Sequence, residues 1–373
     1  MSGHAGRAHA MLSASSAYRW LVCPPSAHIA SGYPDTSTEY AREGTLAHEV
    51  AERIARGGQP PEAPGVTAEM VEHARGYAAY IEEQKRTSDA IVLLEQRVDF
   101  STWVPDGFGT CDCIILEGDT LTVIDYKYGQ GVPVSADTNP QIRLYALGAL
   151  HDYGFAYRVR QVELHIYQPR LDNISHTGLL TEDLLDWAEH TVKPAAAQAA
   201  DGTGAFKAGE HCRFCPHAGS CPALAARCEA LISKYDIAAG VPSLSPEETA
   251  KILGMEPLIT LWLKRVRERA LSVLLEGEAI PGYKVVEGRG SRVWDDEAAV
   301  LSELLDAGYH TGDVTRSELL SPAAMEKALG KKRVGELIAA HVIRKPGAPS
   351  VAPESDRRPE YDRLAEAKND FST

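Results

Sequence analysis

Two aspartates and a lysine follow neighbouring strand-like patterns in the first half of the chain. Residues 121–124 (Leu-Thr-Val-Ile) lead into Asp125-x-Lys127, and a period of two places both charged side chains on one face of a strand. Asp112 lies in the preceding run, residues 109–116, and a Gly- and Asp-containing turn joins the two runs. Antiparallel pairing would bring the three side chains together. Two carboxylates can hold Mg²⁺ or Mn²⁺, and a lysine can orient water or stabilise charge on a phosphate.

The same spacing resembles a known family of enzymes. Gly109-x-x-Asp112 followed by Asp125-x-Lys127 is similar to the core motif of the PD-(D/E)XK nuclease superfamily. The proline that usually precedes the first acid is absent, because Cys111 occupies that position. Without the resemblance, these residues describe an ordinary hairpin with surface charges.

Two further motifs agree with the RecB-like branch of that superfamily. Gly44-x-x-x-His48 falls in a predicted helix and resembles the segment that carries the metal-ligating histidine of the family. Gln141-x-x-x-Tyr145 follows the lysine and places both side chains on one helix face. The alternatives are a structural or solvated histidine and an unremarkable amphipathic helix. Glu95, on the strand before Asp112, could support the site, but the favoured interpretation is a plain strand carboxylate.

The resemblance implies a role for each of these residues. The implied metal ligands are His48, Asp112, Asp125 and the carbonyl of Tyr126. The implied catalytic residues are Asp112, Asp125, Lys127, Gln141 and Tyr145. Lys127 would position the attacking water, while Gln141 and Tyr145 would orient the lysine or contact the DNA backbone.

The cysteines indicate a second metal centre. There are 7 cysteines, and an odd number without an apparent secretion signal argues against a disulfide framework. Cys212-x₂-Cys215-x₅-Cys221 is a soft-metal pattern that lacks a fourth ligand nearby. An early cysteine paired with such a late triplet resembles the iron–sulfur staple of CRISPR-adaptation exonucleases. That resemblance implies a [4Fe–4S] cluster on Cys23, Cys212, Cys215 and Cys221. The alternative is zinc, with His211 or His217 as the fourth ligand.

Hydrophobic periodicity predicts an α/β fold. Helices are predicted over residues 39–56, 66–85, 181–200 and 249–277, with a further helix that begins at Thr138 or Asn139. Strands are predicted over residues 90–100, at the two acidic motifs, and over residues 161–168, which close the sheet. The resemblance implies a restriction-endonuclease-like central mixed sheet that is flanked by helices, stapled by the cluster and followed by a smaller, mostly helical C-terminal module.

Composition changes divide the chain into three predicted parts. These are a nuclease domain with its cluster (1–235), a helical and hairpin accessory module (236–344) and an extended or disordered tail (345–373). Residues 288–294 and 355–359 resemble strings found in a phage-associated group of uncharacterised RecB-like proteins. Arg289, Arg292 and Trp294 are predicted to contact single-stranded nucleic acid; the alternative is that the aromatic residue packs the module while the arginines are solvated.

Overall composition limits these hypotheses. The chain has 373 residues, a net charge of −14 and no run long and apolar enough for a membrane span, which predicts a cytoplasmic protein with local phosphate contacts. The leading hypothesis is a metal-dependent DNA nuclease, an exonuclease on single strands or duplex ends, in phage-type recombination, replication or repair. Its DNA-bound partners would be recombination or replication proteins. The rivals are a catalytically silent iron–sulfur DNA-binding module and a structural zinc adaptor.

Overall fold

A five-stranded mixed sheet forms the centre of the described structure. The computed structural model describes residues 10–34, 39–233 and 245–284. The chain divides into two compact units, residues 1–297 and 298–373, and all the described residues belong to the first. The prediction of an α/β protein with a mixed sheet flanked by helices is confirmed.

The strands follow the chain in order across the sheet. They are β1 (Ile91–Asp99), β2 (Phe108–Glu117), β3 (Thr120–Tyr126), β4 (Gln161–Gln168) and β5 (Asn173–Leu180). Strands β1, β2 and β3 form an antiparallel meander, and the turn between β2 and β3 contains Gly118 with a φ of 59°. Strand β4 is parallel to β3, and β5 is antiparallel to β4.

Nine α-helices surround this sheet among the described residues. They are α1 (Ala17–Trp20), α2 (Pro25–Ala30), α3 (Glu39–Ala55), α4 (Ala68–Gln84), α5 (Pro140–Tyr153), α6 (Thr181–Trp187), α7 (Lys193–Ala200), α8 (Pro222–Ser233) and α9 (Pro246–Leu275). A π-helical turn over Ala188–Val192 joins α6 to α7, so the helix that was predicted over 181–200 is divided. The described helices include none that is both long and apolar enough to cross a bilayer.

Helix α5 is the crossover between the two parallel strands. Its first turn is well defined, because the side chain of Asn139 accepts a hydrogen bond from the amide of Gln141 and Pro140 occupies the first helical position. Most of the helix is buried against the sheet, including Ile142, Leu144 and Leu147. The α5 face of β3 is therefore shielded from water along most of its length.

The two faces of the sheet have separate hydrophobic cores. Helices α3 and α4 cover one face with Val50, Tyr77 and Ile81, which pack on Ile115 and Tyr126. The other face is covered by α5, by α6 and α7, and by the N-terminal segment with Trp20 fully buried. Each Å² of apolar surface that is buried stabilises the fold by ~25 cal/mol, so the cores on both faces hold β2 and β3 in place.

Strand β5 was not expected from the sequence. Residues 161–168 were predicted to close the sheet, but Asn173–Leu180 adds an edge strand beyond them. Its residues alternate between half-buried and exposed, and it contains Asn, Ser, His and Gly, which are weak strand formers. An edge strand buries only one side, so its hydrophobic signal is weak.

Helix α9 contains most of the described residues of the predicted 236–344 module. Leu258, Ile259 and Trp262 pack on the cysteine-containing segment, and Arg265 Nη2 donates a hydrogen bond to the carbonyl of Arg213 at 2.8 Å. The remainder of that module and the predicted tail lie outside the described residues.

Candidate functional site

The two predicted acids lie where β2 and β3 separate. The ladder between these strands ends at Cys113 and Ile124, so the next residue on each strand is an aspartate. The backbone amide of Tyr126 donates to Asp112 Oδ2 at 2.7 Å. The carboxylate of Asp112 therefore accepts the hydrogen bond that would otherwise continue the ladder. This bond fixes Asp112 beside Asp125. Both Asp112 and Asp125 are buried.

His48 reaches this point from α3. Its Nδ1 lies 3.3 Å from Asp112 Oδ1, and its ring packs edge-on against Tyr126 with 5.4 Å between the centroids. Burial alone would lower the pKa of His48, but the carboxylates of Asp112 and Asp125 outweigh burial and raise the pKa to about 9. The imidazole is therefore protonated at neutral pH when no cation competes for it.

Lys127 is held on the other side of the acids by two partners. Its Nζ donates to Asp125 Oδ1 at 3.2 Å and to Gln141 Oε1 at 3.0 Å. Gln141 Nε2 in turn donates to the Tyr145 hydroxyl at 3.2 Å. An ammonium group has three N–H donors, so one remains for water or for a phosphate oxygen.

The charges of the three central groups follow from burial and from each other. Burial raises the pKa of Asp125, and Lys127 offsets only part of that effect. For Asp112, burial acts in the same direction, but His48 and Lys127 outweigh it and lower the pKa. Burial disfavours the charged lysine, yet the two carboxylates raise its pKa. Lys127 is therefore a cation here, suited to stabilise charge rather than to accept a proton.

Glu95 is the residue near the site that the sequence favoured only as a plain strand carboxylate. The register pairs Leu94 with Cys113 and Gln96 with Cys111, so Glu95 lies opposite Asp112, where the ladder skips one pair. Its φ of 50° is unusual for a residue other than glycine and costs ~1–3 kcal/mol. Burial and the nearby Asp112 raise its pKa to about 7. Register and dihedral angles cannot be deduced from a single strand pattern, so its strand position alone did not favour a role in the site over a plain carboxylate.

The break in pleating at this point also affects β2. Cys111 belongs to the core on the α5 face and Cys113 to the core on the α3 and α4 face, although residues two apart normally share a face. The irregularity lies at Asp112, between them. It allows this carboxylate to meet His48 from one face of the sheet and the Asp125–Lys127 pair from the other.

The donor atoms fit a divalent cation. Ligand atoms of His48, Glu95 and Asp112 lie within 4.8 Å of one another. Asp125 Oδ2 is buried and accepts no well-aligned hydrogen bond, although Lys127 Nζ is only 2.9 Å away. Asp125 is not a member of the 4.8 Å group, which consists of an imidazole and two carboxylates. Such an oxygen-rich set is what Mg²⁺ and Mn²⁺ prefer.

The glycine of the first motif has a steric role. A Cβ atom at Gly109 would lie 2.7 Å from a ring carbon of Tyr145. Only glycine lets the tyrosine ring approach β2 so closely, and this ring carries the hydroxyl that holds Gln141. Gly109 thereby contributes to the position of Lys127 without touching it.

The four predicted cysteine ligands line one small cavity that shares no residue with the fork. Cys23 precedes α2, Cys212 and Cys215 lie in or beside a 3₁₀ turn (Glu210–Phe214), and Cys221 precedes α8. The amide of Gly209 donates to Cys212 Sγ at 3.4 Å. His211 and His217 also line this cavity; His211 Nε2 lies 2.8 Å from the carbonyl of Lys207, and His217 Nδ1 lies 2.8 Å from the Tyr33 hydroxyl.

A buried arginine faces the same cavity. Arg19 is 8% exposed, its Nε has no hydrogen-bond partner, and no carboxylate of the described residues pairs with it. Burial raises the pKa of the Cys215 thiol, whereas the charge of Arg19 and a hydrogen bond to it act in the opposite direction. A buried cation without an anion is costly, so negative charge on the sulfurs would offset it, although burial keeps the pKa of both Cys212 and Cys215 raised.

The structure thus brings two groups of predicted residues together. One group is His48, Asp112, Asp125, Tyr126, Lys127, Gln141 and Tyr145; the other is Cys23, Cys212, Cys215 and Cys221. The predicted nucleic-acid contacts Arg289, Arg292 and Trp294 lie outside the described residues, so their assignment stays a prediction.

These features define an α/β protein with an acid, histidine and lysine centre at the fork of a mixed sheet and a separate cysteine cavity. Residues 9–359 match the family described as "Protein of unknown function (DUF2800)". The chain belongs to this family. A solved structure titled "Crystal structure of SSO0001" is 16% identical over 59% of this chain and 91% of that one, with a TM-score of 0.28. A TM-score that low does not establish a shared fold.

Proposed function

We propose that this protein is a metal-dependent DNA nuclease of the PD-(D/E)XK superfamily, in its RecB-like branch. The observation that carries the proposal is Lys127, which is held as a cation between Asp125 and Gln141 and lies beside Asp112 at the fork of β2 and β3. Hydrolysis of a phosphodiester needs positive charge next to the phosphate and a fixed water, and these residues can supply both.

Each side chain would have a separate task. His48, Asp112 and Asp125, with the Tyr126 carbonyl, would hold Mg²⁺ or Mn²⁺, and Glu95 extends this set. The bound cation would act as a Lewis acid on the phosphate. The remaining N–H of Lys127 would face the attacking water or a non-bridging phosphate oxygen. Gln141 and Tyr145 would keep the lysine in this position.

The substrate and the setting are proposals that rest on the family resemblance. We expect an exonuclease that acts on single-stranded DNA or on duplex ends, in a pathway of phage-type recombination, replication or repair. A catalytically silent DNA-binding protein is the main alternative. Intact side chains at every position of the predicted site support the enzyme over that alternative.

Digestion of end-labelled DNA tests the proposal. Purified protein with Mn²⁺ should degrade single strands or duplex ends, and EDTA should stop the reaction. The Asp125→Asn variant should be inactive with the wild-type fold. Wild-type digestion by the Asp125→Asn variant would mean that another site or a contaminant cuts the DNA. Binding of DNA without digestion under any divalent cation would favour the silent alternative.

For the cysteine cavity we propose a [4Fe–4S] cluster on Cys23, Cys212, Cys215 and Cys221. The support is the shared cavity together with Arg19, whose buried charge lacks a carboxylate partner and would be compensated by metal-bound thiolates. The cluster would hold the N-terminal segment against the segment that precedes α8. Zinc on the same thiolates would meet the same charge requirement.

Spectroscopy separates the two metals. Protein purified without oxygen should be brown, with an absorption band near 400 nm and with iron and acid-labile sulfide in equal amounts. A colourless protein that contains zinc in a 1:1 ratio would replace the cluster with the structural zinc centre. A protein that holds neither metal would contradict both assignments.

A further inference from the structure

A cleft of about 970 Å³ leads from the lysine of the candidate site to the cysteine segment. Lys127 and Gln141 form part of its lining, and the loop between β3 and α5 lies along it. Opposite this loop are α8, α9 and the turn that carries Cys212 and Cys215. The cleft thus connects the two candidate centres along one surface.

The lining of this cleft is more basic than the rest of the chain. Four cationic side chains and two acidic ones contribute to it, in a protein whose net charge is −14. The cations are Arg19, Lys127, Arg213 and Arg227, and the acids are Asp137 and Glu210. The carboxylate of Glu210 also accepts a hydrogen bond from the Tyr18 hydroxyl, with 3.3 Å between the two oxygens. Lys127 is paired with Asp125 and Arg19 is buried, so the exposed Arg213 and Arg227 are the cations that make the cleft complementary to a polyanion.

The C-x-x-C motif explains why an aromatic side chain is exposed in the cleft. Cys212 is 7% exposed and lines the cysteine cavity, whereas Phe214, two residues later, is 64% exposed. The tight 3₁₀ turn cannot bury all of its residues on one side, so Arg213 and Phe214 line the cleft instead. Arg265 holds this turn through the Arg213 carbonyl.

We propose that this cleft binds single-stranded DNA, with a base stacked on Phe214 and phosphates held by Arg213 and Arg227. This inference rests on the proposed nuclease function and specifies the path of its substrate. An aromatic ring can stack on an unpaired base, while the faces of paired bases are covered inside a duplex. The strand would continue from Phe214 to Lys127, so the turn that carries two cysteine ligands also presents the DNA.

Binding of a fluorescent oligothymidylate to the full chain tests this path. The probe is a labelled single strand of twenty thymidines, measured by anisotropy in EDTA so that no digestion occurs. Phe214→Leu should weaken binding about tenfold, as expected for the loss of one stacked base. Arg213→Gln combined with Arg227→Gln should make the slope of log K against log salt shallower by ~1.4, at ~0.7 per phosphate contact.

Matched controls come from the segment that follows the C-terminal end of α5, whereas the cleft touches the N-terminal end of this helix. Phe155 is 90% exposed and Arg158 is exposed, and neither lines the cleft. Phe155→Leu and Arg158→Gln should bind the probe as wild type does. Metal content and melting temperature of every variant report whether the cysteine turn is intact.

Three results would overturn the inference. They are wild-type affinity of the Phe214→Leu variant and of the arginine pair, equal loss of affinity in the controls, and equal affinity of the wild type for a blunt duplex. If the variants bind as wild type while the protein still digests DNA, the cleft is wrong and the nuclease proposal stands. If the variants lose binding but Mn²⁺ never supports digestion, the cleft is supported and the nuclease proposal fails.

Discussion

The two candidate metal centres differ in what holds them together. At the fork of β2 and β3, the side chains are fixed by one another and by the sheet: Asp112 by the Tyr126 amide, and Lys127 by Asp125 and Gln141. The cysteine cavity collects ligands from chain segments that are far apart, and the turns around it are short. The side chains of the first centre are organised without a metal, whereas under the proposed cluster the second centre would need its metal to close a long loop.

The two centres also treat buried charge differently. At the fork, each buried acid lies next to His48 or Lys127, so opposite charges already meet inside the protein. In the cysteine cavity, Arg19 has no carboxylate partner among the residues that the structure describes. Removal of metal should therefore leave the first centre folded and should destabilise the second. The four predictions below test this difference.

The largest effect is expected on catalysis at the fork. Lys127→Gln should reduce DNA cleavage by ~10²-fold or more, the usual loss when one group that stabilises the transition state is removed. The melting temperature should also fall, because the buried Asp125 would lose its cationic partner, while the sheet keeps the fold. Single-turnover cleavage and thermal unfolding measure the two quantities.

Asp119→Asn is the matched control for Lys127→Gln, because it also replaces one charged side chain next to β2 and β3 with an amide. Asp119 is an exposed acid in the turn between these strands, at the opposite end from the site. This variant should cleave DNA as wild type does. A Lys127→Gln protein with full activity would remove the fork from the mechanism.

The second prediction concerns the stability of the cysteine centre. Cys23→Ala should lose the bound metal and should make the chain near residues 205–233 sensitive to protease. The reason is that, under the proposed cluster, the metal would bridge this cysteine in the N-terminal segment to the C-x-x-C turn, which lines the same cavity. Metal analysis and limited proteolysis measure the effect. The increase in protease sensitivity should be larger than any increase that EDTA causes in the region of the fork.

Cys228→Ala provides the comparison for the loss of a buried thiol. Cys228 is fully buried in the same small core but does not line the cavity. Its replacement should cost packing energy while the metal content stays at the wild-type level. Equal metal content in the Cys23→Ala protein would instead point to His211 or His217 as the fourth ligand.

The third prediction is a pH effect at Glu95. Its pKa rises from 4.5 to about 7 on folding, so the folded state binds the proton more tightly than the unfolded state. The stability from this group is complete below pH 4.5 and is lost as the pH rises through 7. Glu95→Gln should therefore raise the melting temperature of metal-free protein at pH 8, on the order of 2–4 °C, with a smaller gain at pH 5.5.

The same variant should bind Mn²⁺ more weakly, because it replaces a carboxylate with an amide. Titration calorimetry at pH 8 measures that loss. A gain of stability together with a loss of metal binding would show that Glu95 lowers the stability of the fold and contributes to metal binding. A Glu95→Gln protein with unchanged melting at pH 8 would contradict the burial argument.

Residue spacing predicted much of the fork but not its geometry. Period-two alternation was enough to expect Asp125 and Lys127 on one face, and helical spacing was enough for Gln141 and Tyr145. The place of Glu95 depends on the register between β1 and β2 and on a left-handed backbone, neither of which is encoded in a local pattern. The steric need for Gly109 likewise depends on how closely α5 packs on β2.

The fold shows the same division between local and non-local information. Asn139 and Pro140 define the start of α5 through local chemistry, and the sequence alone was sufficient for it. Strand β5 pairs at the edge of the sheet with exposed residues, so its formation depends on β4 being present. Cys23 was joined to the late cysteines only through a family resemblance, since chain separation alone gives no reason for contact.

The smallest effect is expected from Arg19, which distinguishes a charged metal centre from neutral thiols. If metal-bound thiolates occupy the cavity, Arg19→Gln removes a compensating cation, so the centre becomes harder to reduce and releases metal a few times faster to a chelator. If the cysteines are neutral thiols, the same change relieves an unpaired buried charge, and the protein becomes more stable. Arg158→Gln, an exposed arginine outside the cavity, is the control and should change neither quantity. Chelator-transfer kinetics measure the faster metal release that is expected in the first case. Thermal melting measures the gain in stability that is expected in the second. A stabilised Arg19→Gln protein would contradict the charged centre.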